Sequence, residues 1–179
     1  MPDGIFYFKN RSMRITLLLT AIVMTLSSFA PNPGVTVTST SFTANGMIPS
    51  KYTCEGANIN PPLHIANLPS GTQSIALILH DPDAPMKGGF THWVMWNINI
   101  NGEIPEDFKG AEQGVNSAKK HGYMGMCPPS GTHHYHFMVY ALDAKLQLSA
   151  NTDKASLEKA MQGHILSESD LVGLYKKMK

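Results

Sequence analysis

Three short stretches of this chain have the same pattern, an apolar run with polar residues at one end. This pattern constrains the fold more than any other feature of the sequence. The runs cover residues 75–79, 91–100 and 134–142. They are rich in Val, Ile, Leu, Trp and Met, which is typical of buried β-strands. Asp81 follows the first run, His92 stands at the start of the second, and His133 precedes the third. The pattern predicts a sheet with polar residues at the ends of three strands.

Side chains alternate between the two faces of a strand, so each polar residue can be assigned to a face by counting in twos. Each then shares a mainly apolar face: Asp81 with Ile75, Leu77 and Leu79; His133 with Tyr135, Phe137 and Val139; and His92 with Val94, Trp96 and Ile98. If these faces form one core, the polar residues meet at its rim. We therefore expect Asp81, His92, His133 and Tyr135 to lie together.

The first half of the remaining chain indicates further extended structure. Residues 35–42 are β-branched or small and predict a strand. Residues 49–69 are rich in Pro, Asn and Gly, which predicts a loop with short extended pieces.

Helical spacing of apolar residues occurs only late in the chain. Two segments show it, Leu157, Ala160 and Met161 in the first and Leu171, Leu174 and Tyr175 in the second, which is predicted over residues 169–177. Ser156 and Ser167 are the predicted helix starts. Lys176, Lys177 and Lys179 would then lie at a helix C-terminus, where cations are favoured. Strands followed by helices predict a mainly β fold, with an antiparallel, sandwich-like sheet core and C-terminal α-helices.

The composition is that of a folded globular protein. The chain has 179 residues, of which 42% are apolar and 15% charged, and this is enough for one domain, predicted over residues 31–179. The net charge is +1, and the Lys and Arg residues are scattered. This pattern argues against a nucleic-acid-binding surface.

Residues 1–30 have the order of an N-terminal extension and secretory signal peptide. Lys9, Arg11 and Arg14 precede an uncharged run over 15–30, and Met13 is an alternative start. The run is shorter than the about 20 residues of a membrane helix, so we expect no transmembrane span in the mature protein. Pro31 directly after the predicted cleavage site leaves an uncleaved anchor as the alternative. The domain is predicted to be exported, to the periplasm or outside the cell.

Prolines flank the predicted polar rim. Pro85 closes the segment 81–85, and Pro128 and Pro129 follow Cys127. Proline fixes φ near −65°, so these loops predict stiff pocket walls. The Ala84–Pro85 bond is expected to be cis, because X–Pro bonds alone tolerate cis cheaply and tight turns are where it occurs.

The polar residues predict a pocket for a small anion. Asp81 should raise the pKa of His92 or His133, because a carboxylate favours the imidazolium form. Phosphate or carboxylate could accept hydrogen bonds from that imidazolium, from the Tyr135 hydroxyl and from amides around Gly131. These motifs contain no Lys or Arg. We therefore expect weak binding that strengthens at acid pH.

Three motifs carry a resemblance to a known family: DPDAP at 81–85, THW at 91–93 and CPPSGTHHY at 127–135. They resemble those of the phosphatidylethanolamine-binding proteins, also called Raf kinase inhibitor-like proteins, and especially their bacterial branch. The resemblance covers about 35–179, and the segment 162–175 resembles the terminal helix of that branch. One departure is His134, because the family usually has His-Arg-Tyr where this chain has His-His-Tyr. The titratable imidazole of His134 replaces a permanently charged guanidinium there, so the ion-pair partner that an Arg would give to an Asp is in doubt.

The resemblance implies a fold like that of the family and a non-enzymatic protein without a cofactor. Such proteins bind phosphate, phosphoethanolamine-like head groups or phosphorylated groups, and some regulate or inhibit a protein partner. Motif and pattern together predict these ligand-binding residues: Asp81, Asp83, Pro85, His92, Cys127, Pro128, Pro129, Gly131, His133 and Tyr135.

The two cysteines, Cys54 and Cys127, leave two readings open. Export would place them where disulfides persist, and a bridge would close a loop of 73 residues. Such a bridge would stabilise the fold by about 4 kcal/mol on the chain-entropy model. Two buried thiols that pack as small apolar side chains are the alternative.

Three other functions are alternatives to anion binding. A hydrolase would use Asp81 and His92 as a base, with Ser130 or Cys127 as nucleophile, but neither nucleophile has an elbow motif. A serine protease inhibitor would need an exposed segment to enter the protease, and no clear reactive loop is visible. A metal site would draw on the clustered histidines and aspartates, His92, His133, His134, His136, Asp81 and Asp83. Alternation separates His134 and His136 from His133, so we predict no metal.

Overall fold

Residues 34–178, together with Met1 and Gly4, are described by a computed structural model. Eight strands and one α-helix occur in this part of the chain. In order they are β1 (Thr36–Thr38), β2 (Leu63–Ala66), β3 (Ser74–Asp81), β4 (Phe90–Ile98), β5 (Glu103–Ile104), β6 (Glu112–Gln113), β7 (Thr132–Leu142), α1 (Lys154–Met161) and β8 (Ile165–Lys176). A single 3-10 turn spans Ser50–Tyr52. The predicted signal peptide and extension, apart from Met1 and Gly4, lie outside the described residues, as does Lys179.

The strands form two antiparallel sheets. The smaller has the order β1-β2-β5 and the larger the order β6-β4-β3-β7-β8. The three apolar runs of the sequence are β3, β4 and β7, which are the three central strands of the larger sheet. The predicted class, a mainly β antiparallel fold, is confirmed. No helix among the described residues is long and apolar enough to cross a membrane.

The larger sheet buries side chains on both faces. Its inner face packs against the smaller sheet, and residues such as Leu77, Trp93 and Phe137 are fully buried there. Its outer face is covered in part by α1, through Leu157 and Met161. Fully burying one such side chain contributes about 1.5–3 kcal/mol. Burial on both faces explains why β3 reads as a continuous apolar run rather than an alternating one.

Helix α1 agrees with the first predicted helix, but its start does not. Asp153 is the N-cap, and its carboxylate accepts a hydrogen bond from the Ser156 amide at 3.0 Å. Ser156, the predicted start, therefore lies inside the first turn.

The second predicted helix, over 169–177, is wrong, because this segment is strand β8. Every second residue from Leu171 to Tyr175 faces the core, and β7 supplies a hydrogen-bonding partner along the whole length. Gly173 lets the side chains of Ile48 and Phe42 pack closely against β8, since a Cβ there would lie 2.6 Å from the Ile48 side chain and 2.8 Å from that of Phe42. Lys176 and Lys177 consequently end a strand rather than a helix. Tertiary pairing decides the structure of a segment that fits both periods.

The face assigned to His92 from the sequence is also wrong in part. Val94 and Trp96 belong to the outer apolar layer, under α1. His92 nevertheless reaches the inner side, because β4 contains a bulge: Leu79 pairs with Trp93 and His80 with Thr91, which leaves His92 as the extra residue. A bulge puts two residues of one strand opposite one of its neighbour and shifts the alternation. The bulge therefore brings His92 to the side of Asp81.

Candidate functional site

A small cavity lies beside the end of β3 and the starts of β4 and β7, the central strands of the larger sheet. Its volume is about 230 Å³. The lining residues are Asp81, Ala84, Pro85, Met86, Phe90, His92, Met124, Gly125, Cys127, Pro128, Pro129 and His133. Most of them are apolar. Asp81, His92 and His133 supply the polar part, and all three are buried.

Asp81 is the most heavily hydrogen-bonded side chain of the site. Its Oδ1 accepts bonds from the amides of Asp83 (2.9 Å) and Ala84 (3.1 Å). Its Oδ2 accepts a bond from Nδ1 of His133 at 2.8 Å. One carboxylate thus fixes the 81–85 loop and orients an imidazole. This arrangement stabilises a buried charge that would otherwise be costly.

The loop after Asp81 differs from prediction at one bond. The Ala84–Pro85 peptide is trans rather than cis. A trans X–Pro bond is the lower-energy form by about 0.5–1 kcal/mol. The hydrogen bonds from the amides of residues 83 and 84 to Asp81 close the loop without a cis bond. Pro85 lines the cavity as predicted from the motif.

His92 is anchored through one ring nitrogen. Its Nδ1 donates to the carbonyl of Met124 at 2.8 Å, so Nε2 is the nitrogen left for a ligand. The ring packs against Phe90 at 4.7 Å and Tyr135 at 5.4 Å between centroids. Burial lowers the pKa of His92, although the Met124 carbonyl and Asp81 oppose the shift. The expected rise in the pKa of His92 is therefore wrong, because desolvation outweighs the neighbouring carboxylate.

Tyr135 lies behind the two imidazoles and does not line the cavity. Its ring stacks on His133 with centroids 6.4 Å apart. Its hydroxyl is buried and has no hydrogen-bond partner within the described residues. Burial, and after it the charge of Asp81, raises the pKa of the Tyr135 hydroxyl. The phenol therefore stays protonated.

Asp83 and Gly131, both predicted site residues, do not line the cavity. Asp83 Oδ2 accepts bonds from the backbone amide of His134 (2.8 Å) and from its ring Nδ1 (2.7 Å). His134 thus supplies the partner for an Asp that the replacement of Arg by His had left in doubt. These bonds lower the pKa of Asp83, the ring contact most of all. Gly131 has φ of +74° and shapes the turn into β7.

A disulfide joins Cys54 and Cys127 beside the cavity. The sulfur atoms are 2.08 Å apart and the Cα atoms 5.5 Å apart. Cys127 lines the cavity, while the amide of Cys54 donates to the carbonyl of Met126 at 3.1 Å. The cross-link therefore ties the wall at 127–129 to the loop at residue 54, and leaves neither cysteine as a thiol.

Sequence reasoning missed five lining residues: Ala84, Met86, Phe90, Met124 and Gly125. Ala84 lies within the 81–85 motif, and Met86 and Phe90 follow it, so a loop continued from residue 81 to the start of β4 includes all three. Nothing in the sequence indicated that Met124 would accept a bond from His92.

Four histidines outside the cavity pair with carboxylates, namely His64, His134, His136 and His164. His136 Nδ1 lies 2.6 Å from Asp170 Oδ2, and His134 pairs with Asp83. Within residues 34–178, no group of three or more His, Cys, Asp or Glu side chains is arranged to hold a metal ion.

Fold and site together define a class of protein: two packed antiparallel sheets with a small, preformed, mostly apolar pocket holding one carboxylate and two imidazoles. A family model described as phosphatidylethanolamine-binding protein matches residues 38–176. The chain belongs to the phosphatidylethanolamine-binding protein family.

Similar proteins occur in archaea and bacteria. A UPF0098 protein of Pyrococcus horikoshii is 49% identical over 150 residues, which cover 78% of this chain and 75% of that protein. The crystal structure of a phosphatidylethanolamine-binding protein homologue from Chlamydia trachomatis superposes with a TM-score of 0.78 at 36% identity and covers 81% of this chain and 99% of the other. Escherichia coli YbcL, described as a new member of the mammalian family, gives a TM-score of 0.75 at 29% identity with the same coverage.

Proposed function

We propose that this protein is an exported, non-enzymatic binding protein whose pocket takes a small phosphate-bearing anion, and that it regulates or inhibits a protein partner. The observation that carries the proposal is the hydrogen-bonded pair of Asp81 and His133 beside His92, held in a cavity of about 230 Å³. A cavity of this size accommodates a phosphate or a small head group rather than a large substrate.

The cavity offers hydrogen-bonding groups but little net charge. His133 and Asp81 form a pair that is neutral overall when the imidazole is protonated, and burial keeps His92 mainly uncharged. Anion binding therefore depends on hydrogen bonds and shape, and we expect it to be weak.

Two details favour binding over hydrolysis. Cys127 is in a disulfide and lacks the thiol that a nucleophile needs. Ser130 is exposed and is not among the cavity-lining residues. Neither of the two predicted nucleophiles is therefore able to act with Asp81 and His92.

Export and the regulated partner rest on the signal-like pattern of residues 1–30 and on family membership. Expression of the full chain in a bacterium, followed by separation of periplasm and cytoplasm, tests export. Recovery of the protein only in the cytoplasm would contradict it.

Calorimetric titration with inorganic phosphate and with phosphoethanolamine tests the site. We expect binding to the wild-type protein, and a loss of about tenfold or more in His92→Asn and His133→Asn, since a charge-assisted hydrogen bond contributes about 1.5–3 kcal/mol. Asn keeps a donor where Nδ1 stands, so the bonds to Met124 and Asp81 persist while Nε2 is removed. His134→Asn, on the outer face, is the matched control and should bind normally. Equal binding by all four proteins would reject the site.

A further inference from the structure

The cavity holds the Asp81 carboxylate and has no Lys or Arg among its lining residues. Asp81 already accepts three hydrogen bonds, two from amides and one from His133. An entering anion must therefore come close to a buried carboxylate. Each additional negative charge on the ligand increases the repulsion, and low polarity strengthens it. A doubly charged ligand is accordingly disfavoured relative to a singly charged one.

His92 presents an acceptor rather than a donor to the cavity. A carbonyl can only accept, so the contact with Met124 places the proton of the neutral ring on Nδ1. Nε2 then carries a lone pair and needs a hydrogen from the ligand. The titratable groups packed around this ring are Asp81 and His80 from β3 and His133 and Tyr135 from β7. Among these groups, Asp81 alone favours a cationic His92, and its influence is smaller than that of burial.

The donor to the ligand lies on the opposite side of the site. His133 is held at Nδ1 by Asp81, so its Nε2 is directed away from that carboxylate, and in the imidazolium form Nε2–H donates there. Tyr135 lies behind the two imidazoles and does not line the cavity, so it offers the ligand no donor. The site thus combines an acceptor at His92 with a donor at His133. A ligand that both donates and accepts satisfies it, whereas one that only accepts leaves His92 unpaired.

We propose that the pocket selects phosphate in its singly charged, hydroxyl-bearing form, as inorganic phosphate or a monoester, over phosphodiesters and dianions. The P–OH donates to Nε2 of His92, and the phosphoryl oxygens accept from His133. The apolar walls formed by Pro85, Met86 and Phe90 accommodate the ester substituent. This selectivity rests on the proposed function, since it concerns the same pocket.

Three probes separate charge from proton donation in calorimetric titrations at about pH 5.5, just below the second phosphate pKa of about 6. Methyl phosphate is then mainly a monoanion with one hydroxyl, dimethyl phosphate is a monoanion without one, and sulfate is a dianion without one. We expect methyl phosphate to bind about tenfold or more tightly than either of the others, the value of one hydrogen bond to a charged ligand.

A second series of the same titrations at about pH 7.5, and the variant His92→Asn, identify the cause of the difference between the probes. Methyl phosphate should weaken about tenfold or more as its hydroxyl ionises. Dimethyl phosphate has the same charge and no hydroxyl at both pH values, so the ratio of the methyl phosphate and dimethyl phosphate affinities separates the ionisation of the ligand from any change in the protein. In His92→Asn the acceptor is lost while the bond to Met124 is kept, and methyl phosphate should fall to the level of dimethyl phosphate.

The outcomes distinguish this inference from the function on which it rests. If all three probes bind the wild-type protein equally, or if sulfate binds best, the proton selectivity is overturned while anion binding stands. If none of them binds at either pH, the proposed function fails, and the selectivity fails with it. Discrimination that persists in His92→Asn would show that His92 is not its source.

Discussion

Two carboxylate–histidine pairs stand side by side in this molecule with nearly the same geometry and very different surroundings. The N–O distance is 2.8 Å in Asp81–His133 and 2.7 Å in Asp83–His134. The side chains of the first pair are 4% and 8% exposed, and those of the second 41% and 52%. Successive residues of β7 point to opposite faces, so one histidine turns into the pocket and the next turns to solvent.

The difference shows how burial assigns two roles to one kind of interaction. Asp81–His133, the inner pair, is held out of water, where losing one partner leaves an uncompensated group. Asp83–His134, the outer pair, is screened by solvent and fastens the 81–85 loop to β7.

The largest effect is expected on breaking each pair at its carboxylate. Asp81→Ala should lower the free energy of unfolding by about 3–5 kcal/mol, because it leaves His133 and two loop amides without an acceptor. Asp83→Ala should cost about 1 kcal/mol or less, as expected for an exposed pair. Urea unfolding of both variants and the wild type measures the contrast. Equal losses would show that the two environments do not differ as the structure indicates.

A smaller effect is expected from the disulfide, which adjoins the inner pair's cavity and not the outer pair. The double variant Cys54→Ser, Cys127→Ser should lose about 2–4 kcal/mol, because the unfolded chain regains the freedom of a long loop. The same urea experiment measures it, with the single loop variant Ser130→Ala as a control that leaves the bridge intact. An unchanged midpoint would mean that the hydrogen bonds around Met126 hold the wall without the cross-link.

The smallest effect concerns the pH dependence of the outer pair. The pKa of Asp83 is lowered from its ordinary value of 3.8 by its bonds to His134. A carboxylate with a lowered folded-state pKa contributes stability above its unfolded-state value, and this contribution disappears as pH falls through the folded-state value. The stability difference between wild type and Asp83→Asn should therefore be present at about pH 5–6 and shrink steadily below about 4. A difference that grows at acid pH would have the wrong sign.

The sequence was a good guide to the strands that packing determines. The runs that became β3, β4 and β7 are apolar because both faces of the larger sheet are covered, so they could be identified without knowing their partners. Strand β8 could not, because Leu171, Leu174 and Tyr175 also fit a helical spacing. The secondary structure of this segment depends on pairing with β7, and that pairing is determined by the whole fold.

The site was predictable by residue type and less so by geometry. Asp81, His92 and His133 do line one cavity, but the alternation used to bring them together fails at His92. The bulge that corrects it depends on the register between β3 and β4, which the sequence does not encode locally. The prediction for the pKa of His92 is wrong because burial of the ring lowers this pKa. That burial depends on contacts with Phe90, Tyr135 and Met124, which the motif alone does not indicate.

The histidine side-chain nitrogen spectrum of the protein, recorded by NMR during titration with inorganic phosphate at about pH 6, tests the anion pocket most directly. The structure places His92 and His133 in the cavity and His134 and His136 on the outer face. We predict that the Nε2 signals of His92 and His133 shift with added phosphate while those of His134 and His136 stay in place. Shifts confined to the outer histidines, or no shift at all, would contradict the account.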